Sequence, residues 1–375
     1  MKYNFDEIIN RKGFSTYKTD LCVSRFGTND LIPLWVADMD FRTPDFIMKA
    51  INERSKHEIM GYTIRNENFF VPIISWLEKK HHWKIQKNWI GFIAGVVHGI
   101  ALAVNEFTKE GDSIIIQTPI YPPFMSVVKT NKRNLICNEL VYKHEKYEID
   151  FNLFEKQIIE NKVKMFIFCS PHNPGGRIWT KEELEKIAEI CNKHKVLVIS
   201  DEIHADLTLP GQKHIPFASV SKIAEENSIT LIAPSKTFNI PGLESSSYII
   251  PNKSIREKYE YVIEKTASGG GNLFAYAATE AAYKYGEEWL KQLIDYLQGN
   301  VDYVANFIKI NIPQLKVMIP EASFLVWINF KGLGLNDTEI KKLLVEKAKL
   351  GLNDGPSFGA GGEGFSRLNI ACPRS

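Results

Sequence analysis

The stretch Ala233-Pro-Ser-Lys-Thr-Phe-Asn-Ile-Pro-Gly-Leu243 follows the apolar run Ile229 to Ala233 and puts one amine, Lys236, among the short polar side chains of Ser235, Thr237 and Asn239. An apolar, β-rich run that ends in a proline reads as a strand, so Lys236 sits just past a strand end. A lysine there becomes a nucleophile toward an aldehyde once its surroundings lower its pKa. Taken alone, a lysine after a strand more often merely faces solvent. Its meaning depends on what the neighbouring strands bring beside it.

Two upstream strands end in the same way. Val196 to Ser200 runs into Asp201, Glu202 and His204, and Lys164 to Cys169 runs into Ser170-Pro-His-Asn-Pro-Gly-Gly176, with Asn173 in the turn. A carboxylate at the C-terminal edge of a parallel sheet lies where α/β proteins bind ligands, although Asp201 also reads as a helix cap. Asn173 can donate to a bound oxygen or serve an ordinary proline-glycine turn. The order strand-Asn, strand-Asp, strand-Ser-Lys suits adjacent edges of one sheet.

Working outward, Ser113 to Gln117 and Ser246 to Ile250 are further strands. Between Asn173 and Asp201 lies a helix whose start is marked by Thr180 with Glu183 three residues on, a capping box ahead of Leu184, Ile187, Ala188 and Cys191. This alternation predicts an α/β fold with a mostly parallel central sheet and crossover helices. From Asn272 to Ile308 the period is helical, and strand character returns at Phe324 to Phe330, which predicts a smaller α/β C-terminal domain. The proline-interrupted segment before Ala50 has no core pattern of its own. The expected division is a large domain over 50–285, with 1–49 and 286–375 forming the small one.

Composition narrows the function. The 375 residues are 44% hydrophobic, and 46 Lys+Arg against 44 Asp+Glu leave a formal charge of +2, so no basic field exists to hold nucleic acid or an anionic membrane. The N-terminus MKYNFDEIIN carries acids where a secretory signal needs apolar residues, so a cytoplasmic location is expected. The run Ile90 to Val104 is too short to span a bilayer and is interrupted by His98. It reads instead as strand, turn and helix. Cys22, Cys137, Cys169, Cys191 and Cys372 form no C-x-x-C pair and are expected reduced and buried. His81-His82 lies in a charged stretch without a companion at metal-ligand spacing, so it is expected on the surface and no metal is implied. No G-x-S-x-G elbow, Walker loop or H-E-x-x-H motif is present.

Seven strings in order, LIPLWVADMDF (31–41), GYT (61–63), TPIYPPF (118–124), SPHNPGG (170–176), SDEIHADL (200–207), APSKTFNIPGL (233–243) and GGEGFSRLNIA (361–371), make the chain similar over nearly its whole length to a known family. It resembles the fold-type I pyridoxal-phosphate enzymes of the aminotransferase class I/II superfamily, and within them the MalY/PatB-type cystathionine β-lyases, or C-S lyases. The resemblance implies pyridoxal 5'-phosphate as cofactor, held by Lys236 as a Schiff base, with the same lysine moving the substrate's Cα proton. Asp201 would face the pyridine nitrogen, while Asn173 and His204 would reach the phenolic oxygen and Tyr121 would stack on the ring. The amides of Val96 and Val97 and the hydroxyl of Ser235 would bind the phosphate. Tyr62 would reach the phosphate of a partner subunit's site, implying a homodimer with shared sites.

Arg367 matches the arginine that grips the substrate carboxylate, and Trp35 to Asp38, with Ala37 and Asp38, resembles the loop closing over it through backbone groups. Two features depart from relatives. Glu244 stands where many aminotransferases carry a phosphate-binding arginine, which favours the lyase branch. RLNIACPRS ends where relatives continue into a closing helix, so a truncated form is expected. The implied reaction is α,β-elimination from L-cystathionine, and from L-cysteine, to a thiol or sulfide, pyruvate and ammonia. An aminotransferase, and a cofactor-binding regulatory partner protein with residual lyase activity, are the alternatives.

Overall fold

The structure, a computed structural model, describes residues 2–374. Seven strands build its main sheet: β1 (Ile90–Ile93), β2 (Ser113–Thr118), β3 (Asn134–Glu139), β4 (Met165–Cys169), β5 (Leu197–Asp201), β6 (Ser228–Ile232) and β7 (Ser246–Ile249). Their spatial order is β1-β7-β6-β5-β4-β2-β3. β7 runs antiparallel to both neighbours, and the remaining pairs are parallel. The mostly parallel α/β sheet expected from the alternation is therefore present.

β4, β5 and β6 are buried along their full length. Both faces of such strands are covered, which is why their sequences are continuous apolar runs and not alternating ones. The side-chain period of two still sorts them: Met165, Ile167 and Ile199 pack into one core with Ile100 and Val104 of helix Val96–Phe107, while Phe166, Phe168 and Val198 pack into another with Leu184 and Ile187 of helix Lys181–Lys193. The Thr180–Glu183 capping box forms as expected.

A second, antiparallel sheet holds β8 (Lys316–Met318), β9 (Leu325–Asn329), β10 (Asn353–Asp354) and β11 (Phe365–Asn369) in the order β8-β9-β11-β10. The helical stretch before it divides into Leu273–Tyr285 and Glu287–Asn311. At the division, a Cβ on Gly286 would lie 2.3 Å from the Ala282 carbonyl oxygen and from the Phe238 ring, so only glycine lets the chain pass. The N-terminal segment has no core of its own. Phe5 and Phe41 stack edge-to-face at 5.0 Å, and Phe5 meets Trp289 of the long helix at 5.9 Å.

Two expectations are corrected. His81 is buried, not on the surface: its Nε2 lies 2.8 Å from Asp206 Oδ1, which also accepts the Trp76 indole N–H at 2.9 Å. The buried carboxylate needs donors, and it draws in the one charged-stretch histidine that the last turn of helix Glu67–His81 points inward. Of the cysteines, Cys22, Cys169 and Cys191 are buried, whereas Cys137 and Cys372 are partly exposed; all five are free. Among the described residues no helix is long and apolar enough to cross a membrane.

Candidate active site

The register of the main sheet assembles the site. Cys169 pairs with Asp201 and Asp201 with Leu231, so the segments that continue β4, β5 and β6 leave from one edge. They carry Asn173, Asp201 with His204, and the short helical turn Pro234–Thr237 with Lys236. Around them closes a cavity of about 360 Å³, lined also by Ala37, Val96, Val97, Tyr121 and Ser235. Arg367, on β11 of the second sheet, is buried behind the lining residue Asn173: its Nη1 donates to Asn173 Oδ1 at 3.1 Å and its Nη2 to the Trp35 carbonyl at 2.9 Å. Arg367 is not the solvated surface charge that an isolated arginine beside a strand would be.

Three predicted residues are not in the cavity lining of their own chain: Arg367, which touches it through Asn173, and Tyr62 and Asp38. Tyr62 is fully exposed in a segment without regular structure, and the Asp38 carboxylate turns to Arg11, whose Nη1 donates to it at 3.0 Å. A larger apolar groove of about 820 Å³ beside residues 8–12 and the Cys372–Arg374 end contains none of these groups, so size alone does not mark the site.

Burial sets the charges. It lowers the Lys236 amine to about 8, with the nearby Arg367 charge acting the same way and Asp38 and Asp201 opposing. Burial raises the Asp201 carboxyl to about 7 against the Ile203 N–H, which donates to its Oδ1 at 3.0 Å. The His204 ring is pushed down to about 3 by burial and by the charges of Lys236 and Arg367, so it is neutral, with Nδ1 3.1 Å from the Ser323 hydroxyl. Burial brings Arg367 down to about 10, leaving it a cation at neutral pH with its guanidinium 5.1 Å over the Phe358 ring and no partner for Nε among the described residues.

These groups fit pyridoxal phosphate. An aldehyde requires an amine whose pKa is depressed, which Lys236 supplies. A protonated ring nitrogen requires a carboxylate, and Asp201 is buried without an ion pair among the described residues, a cost that such a cation would relieve. Asn173 uses its carbonyl oxygen on Arg367, so its amide N–H remains to donate to an oxygen. A phosphate requires N–H donors: helix Val96–Phe107 starts at the cavity wall after Gly95, whose φ of 94° reverses the chain, and its first-turn amides have no helical acceptor. Gly95, His98, Ile203, Ser245 and Ser246 also line the cavity and were not singled out from the sequence. Gly95 ahead of an apolar helix was the readable signal for the first of these; the others depend on the fold. Among the described residues no group of three or more His, Cys, Asp or Glu could hold a metal ion.

The chain matches the model of the family "aminotransferase class I and II" over residues 29–375, and it belongs to that family. It is 43% identical over 369 residues to cystathionine beta-lyase PatB of Bacillus subtilis (strain 168), covering 98% of this chain and 95% of that protein. Its structure superposes on a PLP-bound candidate aminotransferase from Clostridium difficile 630 at TM-score 0.97 and 45% identity, covering 100% and 96% of the two chains. It also superposes on the PLP-bound C-S lyase of Staphylococcus hominis at TM-score 0.93 and 34% identity, covering 100% and 95%.

Proposed function

We propose that this chain is a pyridoxal-phosphate-dependent carbon-sulfur β-lyase that cleaves L-cystathionine, and also L-cysteine, by α,β-elimination to a thiol or sulfide, pyruvate and ammonia. The observation that carries the reading is the single cavity in which the partly buried Lys236 amine, the buried Asp201 carboxylate and the start of helix Val96–Phe107 meet, in a chain that is 43% identical to a cystathionine beta-lyase. Bound there, pyridoxal phosphate supplies an electron sink for charge developing at the substrate Cα.

The chain's residues do the remainder. Lys236 Nζ, with a pKa near 8, is partly unprotonated at neutral pH and takes the Cα proton. Asp201 keeps the ring nitrogen protonated, with its own charge stabilised in return. Arg367 holds the substrate carboxylate with its planar fork, with the backbone of Ala37 and Asp38 beside it. Tyr121 covers the ring, Asn173 and neutral His204 serve its oxygen, and Val96, Val97 and Ser235 hold the phosphate. Residues 50–285 form the cofactor-binding unit, with 1–49 and 286–375 forming the smaller one. Two chains pair, each lending Tyr62 to the other's phosphate.

An aminotransferase reading is favoured by the likeness to the candidate aminotransferase of Clostridium difficile 630. Against it stands Glu244, which lines the cavity at the position where many aminotransferases carry an arginine. Incubation with cystathionine or cysteine and no keto acid separates the two. The lyase gives many turnovers of pyruvate and ammonia with the cofactor's absorbance unchanged. A single turnover that bleaches it and resumes only with keto acid identifies an aminotransferase.

A further inference from the structure

The loop Trp35–Met39 passes over the cavity, and each of its carbonyl oxygens is taken by a side chain. The Trp35 oxygen accepts from Asn353 Nδ2 at 2.8 Å as well as from Arg367, and the Val36 and Asp38 oxygens accept from Asn369 Nδ2 at 2.6 Å each. These donors all stand on the second sheet. On the other side, Lys236 Nζ donates to the Ala37 oxygen at 2.6 Å. Asn239, in the same turn region as Lys236, spends its whole amide here: Oδ1 accepts the Met39 N–H at 3.0 Å, and Nδ2 donates to the Met39 and Phe41 oxygens at 3.0 and 2.8 Å. Its own carbonyl accepts from the Thr43 hydroxyl at 3.2 Å.

We infer that Asn239 is a positioning residue that fixes the Trp35–Met39 loop relative to Lys236, and so sets the distance between the amine and the carboxylate-binding side of the site. When Lys236 Nζ engages another partner, its bond to Ala37 is lost, and Asn239 is then what ties the loop to the lysine's turn. The three bonds mimic one rung of a sheet, which an amide can do and a carboxylate or an aliphatic group cannot. The backbone supports the assignment: Asn239 has φ of 54°, a left-handed conformation that costs asparagine little and that glycine adopts freely. Substitution by glycine therefore removes the tether without straining the turn. The inference rests on the cofactor reading above, so its test needs one readout that is independent of it.

That readout is amide hydrogen exchange of the protein as purified, with no ligand added. Asn239→Gly should speed exchange at residues 39–41 while leaving β4 to β6 protected; unchanged exchange there would overturn the tether. The second readout is spectroscopic titration of the cofactor-loaded protein with 2-aminoisobutyrate, which has an amine and a carboxylate but no Cα hydrogen, and with propylamine, which lacks the carboxylate. Asn239→Gly should weaken 2-aminoisobutyrate about tenfold, as expected for loss of roughly one net hydrogen bond's worth of positioning, and leave propylamine unchanged. Asn239→Asp keeps the acceptor for the Met39 N–H but sets a carboxylate oxygen against the Met39 and Phe41 carbonyls, so it should weaken 2-aminoisobutyrate at least as much as Asn239→Gly. Equal weakening of both ligands, or of neither, would refute the positioning role. Failure of the wild-type protein to respond spectroscopically to either amine refutes the cofactor reading instead, while leaving the exchange result to decide the tether.

Discussion

Arg367 carries its charge into a buried place where two of its nitrogens already have acceptors, Asn173 Oδ1 and the Trp35 carbonyl, and one edge is left over. A guanidinium held in that way is pre-organised for a planar anion, because its fork cannot rotate away without abandoning both bonds. A charge-assisted pair of this kind is worth about 1.5–3 kcal/mol. Arg367→Ala should therefore lower kcat/KM for cystathionine by about one to two orders of magnitude. The cofactor should remain bound, since Lys236, Asp201 and the helix start are untouched. Steady-state kinetics beside a cofactor absorbance spectrum measures both quantities, and unchanged kinetics would make Arg367 a structural cation only. Arg367→Lys keeps a charge and loses the fork, so it should recover only part of the loss.

At the scale of elements, Asp206 joins three of them. It follows β5 closely in sequence, accepts Trp76 and His81 from helix Glu67–His81 on Oδ1, and accepts the Thr237 hydroxyl from the Lys236 turn at 3.1 Å on Oδ2. Burial opposes the charge, but the His81 and Trp76 donors lower the carboxyl below its usual range. A depressed carboxyl contributes stability above its unfolded-state pKa of about 3.9 and loses it as pH falls through the folded value, so the contribution is complete at neutral pH. Asp206→Ala strands buried donors and should cost about 2–5 kcal/mol, each unsatisfied group adding about 1–3. Asp206→Asn keeps the acceptor that Trp76 and His81 share, so it should cost less. Guanidinium unfolding of the two variants gives the order, and equal stability of Asp206→Ala and wild type would show that the junction is idle.

For the whole molecule, the segment 57–64 has no regular structure and leaves Ile59, Met60, Tyr62 and Ile64 exposed, while Arg65 after it is held by the Gly269 carbonyl and the Tyr276 hydroxyl. Contiguous apolar side chains in an unstructured segment indicate an interaction surface, and pairing of two chains would cover them and bring Tyr62 to the other cavity. Lys236→Ala and Tyr62→Ala chains, each inactive, should regain activity when mixed under conditions of subunit exchange, because one hybrid site then contains both native residues. Exchange demonstrated without any recovery would place Tyr62 outside the shared site.

Local rules sufficed for much of this protein. Continuous apolar runs such as Met165 to Cys169 identify doubly covered strands, Thr180 with Glu183 starts a helix, and the strand-Asn, strand-Asp, strand-Lys order identifies one sheet edge, because period, capping and turn chemistry act within a few residues. The edge strand Asn134–Glu139, half polar and lightly buried, carried no such signal, and the break at Gly286 depends on Phe238, far away in sequence. His81 read as a surface charge because its partner, Asp206, lies 125 residues on. Larger separations in sequence, 200 to 333 residues, hid the roles of Asn239, Asn353 and Asn369, which meet the Trp35–Met39 loop only after both sheets have packed. Residue identity determined which chemistry was available; tertiary packing decided the desolvation that moves Lys236 and Asp201 off their ordinary pKa values, since burial is a property of everything around a residue and not of the residue itself.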